Sequence, residues 1–431
     1  IDITAKFTAP RRDDSPDSPD YAAILMKRGI TATAFVRPGD IHVTSTDNSL
    51  LWRIKRLRPV MGNLLKRSSL DRRSCEFLTA TLTGDDSLMP EESRATFTAS
   101  GLAHILALSG LHVGILSVVV GIALLPLYLA RKRNAMTASL IVILWLYAIV
   151  TGLSPSVTRA VIMATTLGIG YILQRRYVSM NALLLAALII LAFDPLQLFN
   201  VGFQLSFASV AAILLFTPLL NPVSPRQRLL YYITSLVVVS IAATIGSGVI
   251  ATYYFHTFPF CFVIANTPVL LMLPLIMGAG VLLIVCEAAC YDPVWLCSAI
   301  DAMYNAIFAF ARMVSDIPHS AVSGIYFSGW VMIPYFITAG AVAWALWRRK
   351  IAGWCVAAAG VVAIIVTLNV TQRKFPESEH FIARDSYATD IIYRNGTEAW
   401  LITTAGERNA SSRLENSRNR HRALLAMRGV D

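Results

Sequence analysis

The chain has 431 residues, a formal charge of +11 from 37 Lys and Arg against 26 Asp and Glu, and a composition that is 55% apolar but only 15% charged. A water-soluble domain carries about 25% charged residues, and here the apolar residues gather in blocks near the roughly 20 that cross a bilayer. Composition therefore excludes a soluble globular enzyme and predicts an all-α polytopic membrane protein.

Residues 1–50 are polar and broken by Pro10, Pro16 and Pro19. Ile30–Val36 and Asp40–Ser45 read as short strands, with the turn residues Arg37-Pro38-Gly39-Asp40 between them. Two such strands cannot make a stable sheet alone, so the expectation is a partial β-module whose beginning is missing from a chain that opens on Ile1. Residues 51–97 alternate apolar and basic positions at helical spacing. Arg53, Lys55, Arg56, Arg58, Lys66, Arg67, Arg72 and Arg73 face only Asp71 and Glu76 there. Such a segment reads first as a membrane-surface element and second as a nucleic-acid contact. Gly84-Asp85-Asp86 ends it, and Pro90-Glu91-Glu92 opens another short helix, with acids where the helix dipole favours them.

The membrane part, 98–370, reads as about ten crossings of bilayer-spanning length: 101–129, 136–153, 157–174, 179–193, 201–220, 229–254, 262–286, 293–315, 329–347 and 351–370. Arg131, Lys132, Arg133, Arg175, Arg176, Arg226, Arg228, Arg348, Arg349 and Lys350 all fall on one side if both polar ends of the chain lie outside. The positive-inside rule then makes both termini extracytoplasmic.

The first crossing holds the densest pattern, SGLAHILALSGLHVGILSVVVG from Ser100 to Gly121. Ala103, Ala107, Gly110, Gly114, Ser117 and Gly121 share one stripe of an unbroken helix, and small stripes let membrane helices approach closely. His104 flanks the stripe, and His112 lies on the far side with Ser109, which predicts a packing face and a separate polar arc. Ionisable groups at membrane depth face a bundle interior or a wet path; hydrogen-bonded packing of both histidines is the alternative. Further polar stripes are Asn200 and Gln204 in the fifth crossing, Ser240, Thr244 and Ser247 in the sixth, and Ser298, Asp301, Asn305, Arg312 and Asp316 in the eighth. Asn266-Thr267-Pro268 and Pro274 are expected to interrupt the seventh. Arg159, after Ser154-Pro155-Ser156, is either a snorkelling anchor or a phosphate contact. Each stripe by itself could simply hold helices together; jointly they predict a shared hydrated interior.

Residues 371–431 are polar again. DIIYRNGTEAWLIT signals a β-hairpin around Arg394-Asn395-Gly396, followed by a tail with Arg413, Arg418, Arg420 and Arg422. Cys286 and Cys290 share a helix face, but no further ligand completes a zinc site. No metal and no cofactor are expected.

The motif SGLAHILALSGLHVGI resembles the signature of the ComEC-type competence proteins, the inner-membrane DNA channels of natural transformation. TGLSPSVTRAVIM (Thr151–Met163), DPLQLFNVGFQLSFASVAAIL (Asp194–Leu214) and Asn266-Thr267-Pro268 are similar to the family's later blocks, in the same order. The resemblance spans roughly 75–345; residues 20–50 resemble the end of the family's extracellular OB-like module, and 50–75 the bridge to the membrane. It implies passage of one DNA strand inward, with His104, Ser109, Gly110, His112, Ser156, Arg159, Gly202, Gln204 and Ser206 carried over by motif. Candidate path residues are then His104, Ser109, His112, Ser156, Arg159, Asn200, Gln204, Ser206, Asn266, Asp301, Asn305 and Arg312. The implied partners are incoming single-stranded DNA, membrane lipid, a DNA-delivering receptor outside and a motor or strand-binding protein inside. Many members end in a metallo-β-lactamase-like nuclease. The seven histidines here include no H-x-H-x-D-H arrangement, so a separate nuclease is implied and no enzyme activity is expected. Two other readings stay open: a small-molecule or ion transporter, and an intramembrane enzyme using His104 or His112. For the enzyme, Ser109 sits on a poor vector if the helix is unbroken.

Overall fold

The computed structural model describes residues 49–403 apart from 107, 175–178, 221–226, 318–320, 324, 326, 372–377, 385–388 and 396–397, and before them residues 2–3, 7–10, 22, 25–26, 30–34, 36 and 41–42. The helices are α1 (Leu50–Lys55), α2 (Leu57–Arg67), α3 (Arg72–Thr83), α4 (Glu91–Ala99), α5 (Ala103–Leu106), α6 (Gly110–Ala123), α7 (Leu125–Leu129), α8 (Arg133–Val150), α9 (Pro155–Ile172), α10 (Ser179–Phe193), α11 (Val201–Leu220), α12 (Arg228–Phe255), α13 (Phe262–Ala288), α14 (Val294–Ser315), α15 (Met332–Arg348) and α16 (Ile351–Thr371). Among the described residues seven helical segments are long and apolar enough to cross a membrane: α8, α11, α12, α13, α14, α15 with the short turn before it, and α16. The apolar helices α6 and α10 are shorter, at 14 and 15 residues.

Strands are few. β1 (Asp2–Ile3) pairs antiparallel with β4 (Ile41–His42), and β2 (Phe7–Thr8) with β3 (Thr33–Ala34). The two strands expected at 30–45 therefore pair with earlier strands and not with each other; the Arg37–Asp40 turn lies outside the described residues. β5 (Thr257–Pro259) pairs with β6 (Ala321–Ser323), clipping the α12–α13 connection to the α14–α15 connection. At the far end β7 (Ser378–Arg384), β8 (Thr389–Asn395) and β9 (Glu398–Thr403) form an antiparallel meander, in which β8 and β9 are the hairpin around Arg394 and Asn395.

The largest core is built on α3. Asp71 caps its start by accepting from the Arg73 N–H (3.3 Å), and Gly84 ends it at φ 74°, the left-handed geometry glycine adopts most easily. All side chains from Ser74 to Thr83 are buried. The helix tolerates this because Thr79, Thr81 and Thr83 donate their hydroxyls to carbonyls one turn back (2.7, 3.0 and 2.7 Å). Phe77 stacks on Phe97 of α4 and lies 5.3 Å from the Tyr304 ring of α14. Gly280 of α13 admits Leu78 where a methyl group would stand 2.8 Å from it. The segment expected as a surface helix is thus basic and exposed only in α1, α2 and the first turn of α3, and is core thereafter.

A second core joins α6, α8 and α9 through Val113, Leu116, Leu144, Ala148, Val157 and Val161, and a third joins α11, α12 and α15 through Ala212, Phe216, Ala242 and Ala343. The first crossing is not one helix. It stops after Leu106, restarts at Gly110, and turns again at Leu124. Pro126 contributes to that second break, because it cannot donate to the carbonyl of Ile122. The predicted packing stripe is split, with Gly110 and Gly121 within reach of Ala160 and Met136 (3.6 and 4.0 Å from a built methyl position). His112, Val113, Ile115 and Leu116 are buried, whereas Ala103, Gly110 and Gly114 are exposed and a methyl group on Gly114 would meet nothing within 4 Å. The larger side chains bury more apolar area and so take the inward face. Ala107 lies outside the described residues. In α13 the correction runs the other way: the helix continues through Pro268 and Pro274.

Candidate functional site

The break in the signature is a cap. Ser109 is extended (φ −123°, ψ 169°), and its N–H donates to Nδ1 of His112 at 3.2 Å. Its hydroxyl is 2.8 Å from the same nitrogen. A nitrogen that accepts from a backbone N–H carries no proton, so Nδ1 is the acceptor and Nε2 the protonated nitrogen. His112 is fully buried. The broken helix brings Ser109 to His112, as an unbroken one would not. Both groups are engaged as a cap of α6.

Three further contacts join this break to the other blocks. Gly101, at φ 80°, lies on Pro259 of β5, where a methyl group would stand 2.9 Å from the proline Cβ. His104, whose Nδ1 is 3.3 Å from the Gly101 carbonyl, packs edge-on against Phe262 at 5.5 Å and faces the amide of Asn266. Asn266 is buried and donates through Nδ2 to Ser240 Oγ of α12 at 2.8 Å. On the other side Gly110 lies over Ala160 of α9, 3.6 Å from its Cβ measured from a built methyl position. One residue earlier on α9, Arg159 is 4% exposed, and Nη2 reaches Ser156 Oγ at 3.4 Å. Its guanidinium rests on Gly202 at the start of α11, where a methyl group would be 3.4 Å from Nη2. Asn200 accepts from the Gly202 N–H through Oδ1 at 2.9 Å. Segments as distant in the chain as Gly101 and Asn266 thus meet in one junction.

The family model described as Competence protein matches residues 81–349. The chain belongs to the competence protein family. It is similar to ComE operon protein 3 of Bacillus subtilis (strain 168), 30% identical over 273 residues, which are 63% of this chain and 33% of that protein. It is also similar to an uncharacterized protein of Aquifex aeolicus (strain VF5), 32% identical over 127 residues, 30% of this chain and 29% of that one. The chain spans about a third of the length of these curated relatives. No solved structure matches. The region shared with the competence family runs from within α3 to the end of α15 and contains every residue of the junction.

The other expected path residues are placed apart from it or at its edge. Gln204 donates through Nε2 to the Leu198 carbonyl (3.0 Å), and Ser206, two residues on, is half-buried. The eighth-crossing stripe does not enter the interior. Leu296, Ile300, Tyr304, Ile307, Ala311 and Val314 form the buried face of α14, so Asn305 and Arg312 are exposed. Asp301 accepts from the Asp71 N–H at 3.2 Å, holding the start of α3. On α12, Thr244 and Ser247 each donate to a carbonyl of their own helix (2.9 and 2.8 Å). These stripes thus do not face one another across a common space: apolar area decides which face of a helix turns inward, and hydroxyls on that face are satisfied by the turn before them. Ser240 alone of that stripe reaches another helix, and spacing on α12 gives no sign that Asn266 is its partner. One turn beyond Ser240, a cavity of about 420 Å³ opens between α12, β5 and α15, lined by Thr244, Phe258, Phe327 and Tyr335 among apolar neighbours. Among the described residues no three His, Cys, Asp or Glu side chains gather as metal ligands.

Of the basic cluster, Arg53, Arg56, Lys66, Arg67, Arg72 and Arg73 are exposed, and Lys55 and Arg58 half-buried. Arg72 pairs with Glu76 at 2.8 Å, Lys55 stands over Trp52 at 5.0 Å, and Arg73 over Phe308 at 6.0 Å.

Proposed function

We propose that this chain is the membrane part of a machine that passes single-stranded DNA across the bacterial cytoplasmic membrane during natural transformation. The observation that carries the reading is a chain of contacts between the four sequence blocks, inside a chain of the competence family: His104 faces Asn266, Gly110 lies over Ala160, and Arg159 rests on Gly202. A strand path combines cationic and polar groups for the backbone with aromatic surfaces for the bases, and the cavity walled by Phe258, Phe327 and Tyr335 begins one turn from Ser240 of that junction. The exposed cations of α1 and α2 rest on anionic lipid. With α6 and α7 taken together as one bent crossing, and α9 and α10 as crossings, the membrane is spanned about ten times at ordinary bilayer thickness. Both ends of the chain lie outside the cell, as the basic loops require. The β pieces before α1 belong to an OB-like module. A receptor outside delivers DNA, a cytoplasmic motor or strand-binding protein draws it in, and a separate nuclease degrades the second strand.

The test is cross-linking during uptake. A photoreactive residue replaces Ser206 beside the junction or Trp330, which is 69% exposed, in competent cells fed labelled DNA. The reading expects strand capture at 206 and none at 330. Equal capture at both, or none at 206 while transformation proceeds, refutes it.

A further inference from the structure

We infer that Arg159, Ser156 and the glycine backbone at 202 form a seat for a single phosphodiester monoanion, set where α9 and α11 begin side by side. The inference rests on the strand-passage reading and adds the point at which a backbone phosphate is held.

Arg159 is the reason. It is 4% exposed, its Nε and Nη1 are buried without a hydrogen-bond partner, and Nη2 reaches only Ser156 Oγ at 3.4 Å. No ion pair joins it to a carboxylate among the described residues. A guanidinium has five donors in a fixed fork, and a buried charge left uncompensated is strongly destabilising. The exposed cations of α1 and α2 need no ligand because water solvates them; Arg159 does. The surroundings favour an anion. α9 and α11 are 18 and 20 residues long, and both begin here with the positive ends of their dipoles, the Gly202 N–H itself being held by Asn200 Oδ1. Gly202 leaves the approach to the fork clear, since a methyl group there would stand 3.4 Å from Nη2 and 3.2 Å from Asn200 Oδ1. The fork matches two oxygens of a phosphodiester, and one cation balances one monoanion. A DNA strand and a phospholipid headgroup share that chemistry.

The whole chain is purified in neutral detergent, and binding of a fluorescent twelve-residue thymidine oligonucleotide is followed against salt. Arg159→Gln and Gly202→Ala are expected to weaken binding about tenfold or more and to reduce the salt slope by about 0.7, the share of one phosphate on a single strand. Arg159→Lys, which keeps the charge but not the fork, falls between them and the parent. The melting temperature of Arg159→Gln stays at or above the parent's, because an uncompensated buried charge has gone. An uncharged methylphosphonate strand binds the parent no better than the phosphodiester binds Arg159→Gln. In a second arm, phosphatidylglycerol retained from mixed nanodiscs is counted by native mass spectrometry. Retention lost in Arg159→Gln with oligonucleotide binding unchanged assigns the seat to a headgroup. Unchanged binding of both ligands in Arg159→Gln overturns the seat, as does equal binding of the methylphosphonate strand by the parent. Strand capture at position 206 alongside those results would leave the passage reading standing without it.

Discussion

Ser109 and His112 close on each other across the first turn of α6, hydroxyl to Nδ1 at 2.8 Å and backbone N–H to Nδ1 at 3.2 Å. The pair converts what would be a straight membrane helix into two pieces, and the gap between them is where His104 turns to Asn266 and Gly110 to Ala160. Ser109→Ala removes one of the two contacts and is expected to cost about 1 kcal/mol, the usual worth of an N-cap. His112→Asn, whose Oδ1 can accept in place of Nδ1, should keep most of the stability and most DNA uptake. His112→Phe should lose both. Thermal unfolding in detergent and uptake of labelled DNA check this; a Phe variant with parental uptake would reduce His112 to packing.

One close approach of helices falls at Gly246 of α12. A methyl group at Gly246 would land on the carbonyl of Ala208 in α11 and within 2.8 Å of the Ala212 Cβ. Gly246→Ala is expected to destabilise by about 1–3 kcal/mol through overpacking, read as lost folded yield. Gly114→Ala, facing open space, should be silent. The reverse order would show that the signature stripe packs after all.

Burial of α3 makes a sharp claim about a segment that looks like surface. Phe77 is fully buried between Phe97 and Tyr304, so Phe77→Ala should cost about 3–5 kcal/mol. A cost below about 0.5 kcal/mol, the range for surface substitutions, would return α3 to the membrane surface.

Asp292, in the turn before α14, accepts from both the hydroxyl and the N–H of Ser69, the latter at 3.1 Å. The Ser69 hydroxyl, as the largest cause, holds its carboxyl below the ordinary carboxylate range. A group depressed in the folded state adds stability that is present above its unfolded value, near pH 4, and is lost as pH falls through the lower folded value. Unfolding temperature should therefore drop on acidification below about pH 4, and Asp292→Asn should flatten that acid limb while leaving neutral pH little changed. An identical acid limb in the variant would show that Ser69 does not bias the carboxyl.

Membrane class, the helical blocks from 133 onward and the residues of the four signature blocks were legible in the chain alone, because lipid demands long apolar runs and helical backbone whatever they pack against. Partnership was not. The same Ser, Thr and Asn stripes read equally as walls of a wet interior or as hydroxyls folded onto their own helix, and only packing shows that Ser240 meets Asn266 while Thr244 and Ser247 turn back. The tertiary structure likewise decided that α14 turns Asn305 and Arg312 outward, that α3 is core, and that Gly114 of α6 faces away. Periodicity names a face but not its neighbour, and burial follows whichever face offers the larger apolar area to the neighbour the fold supplies.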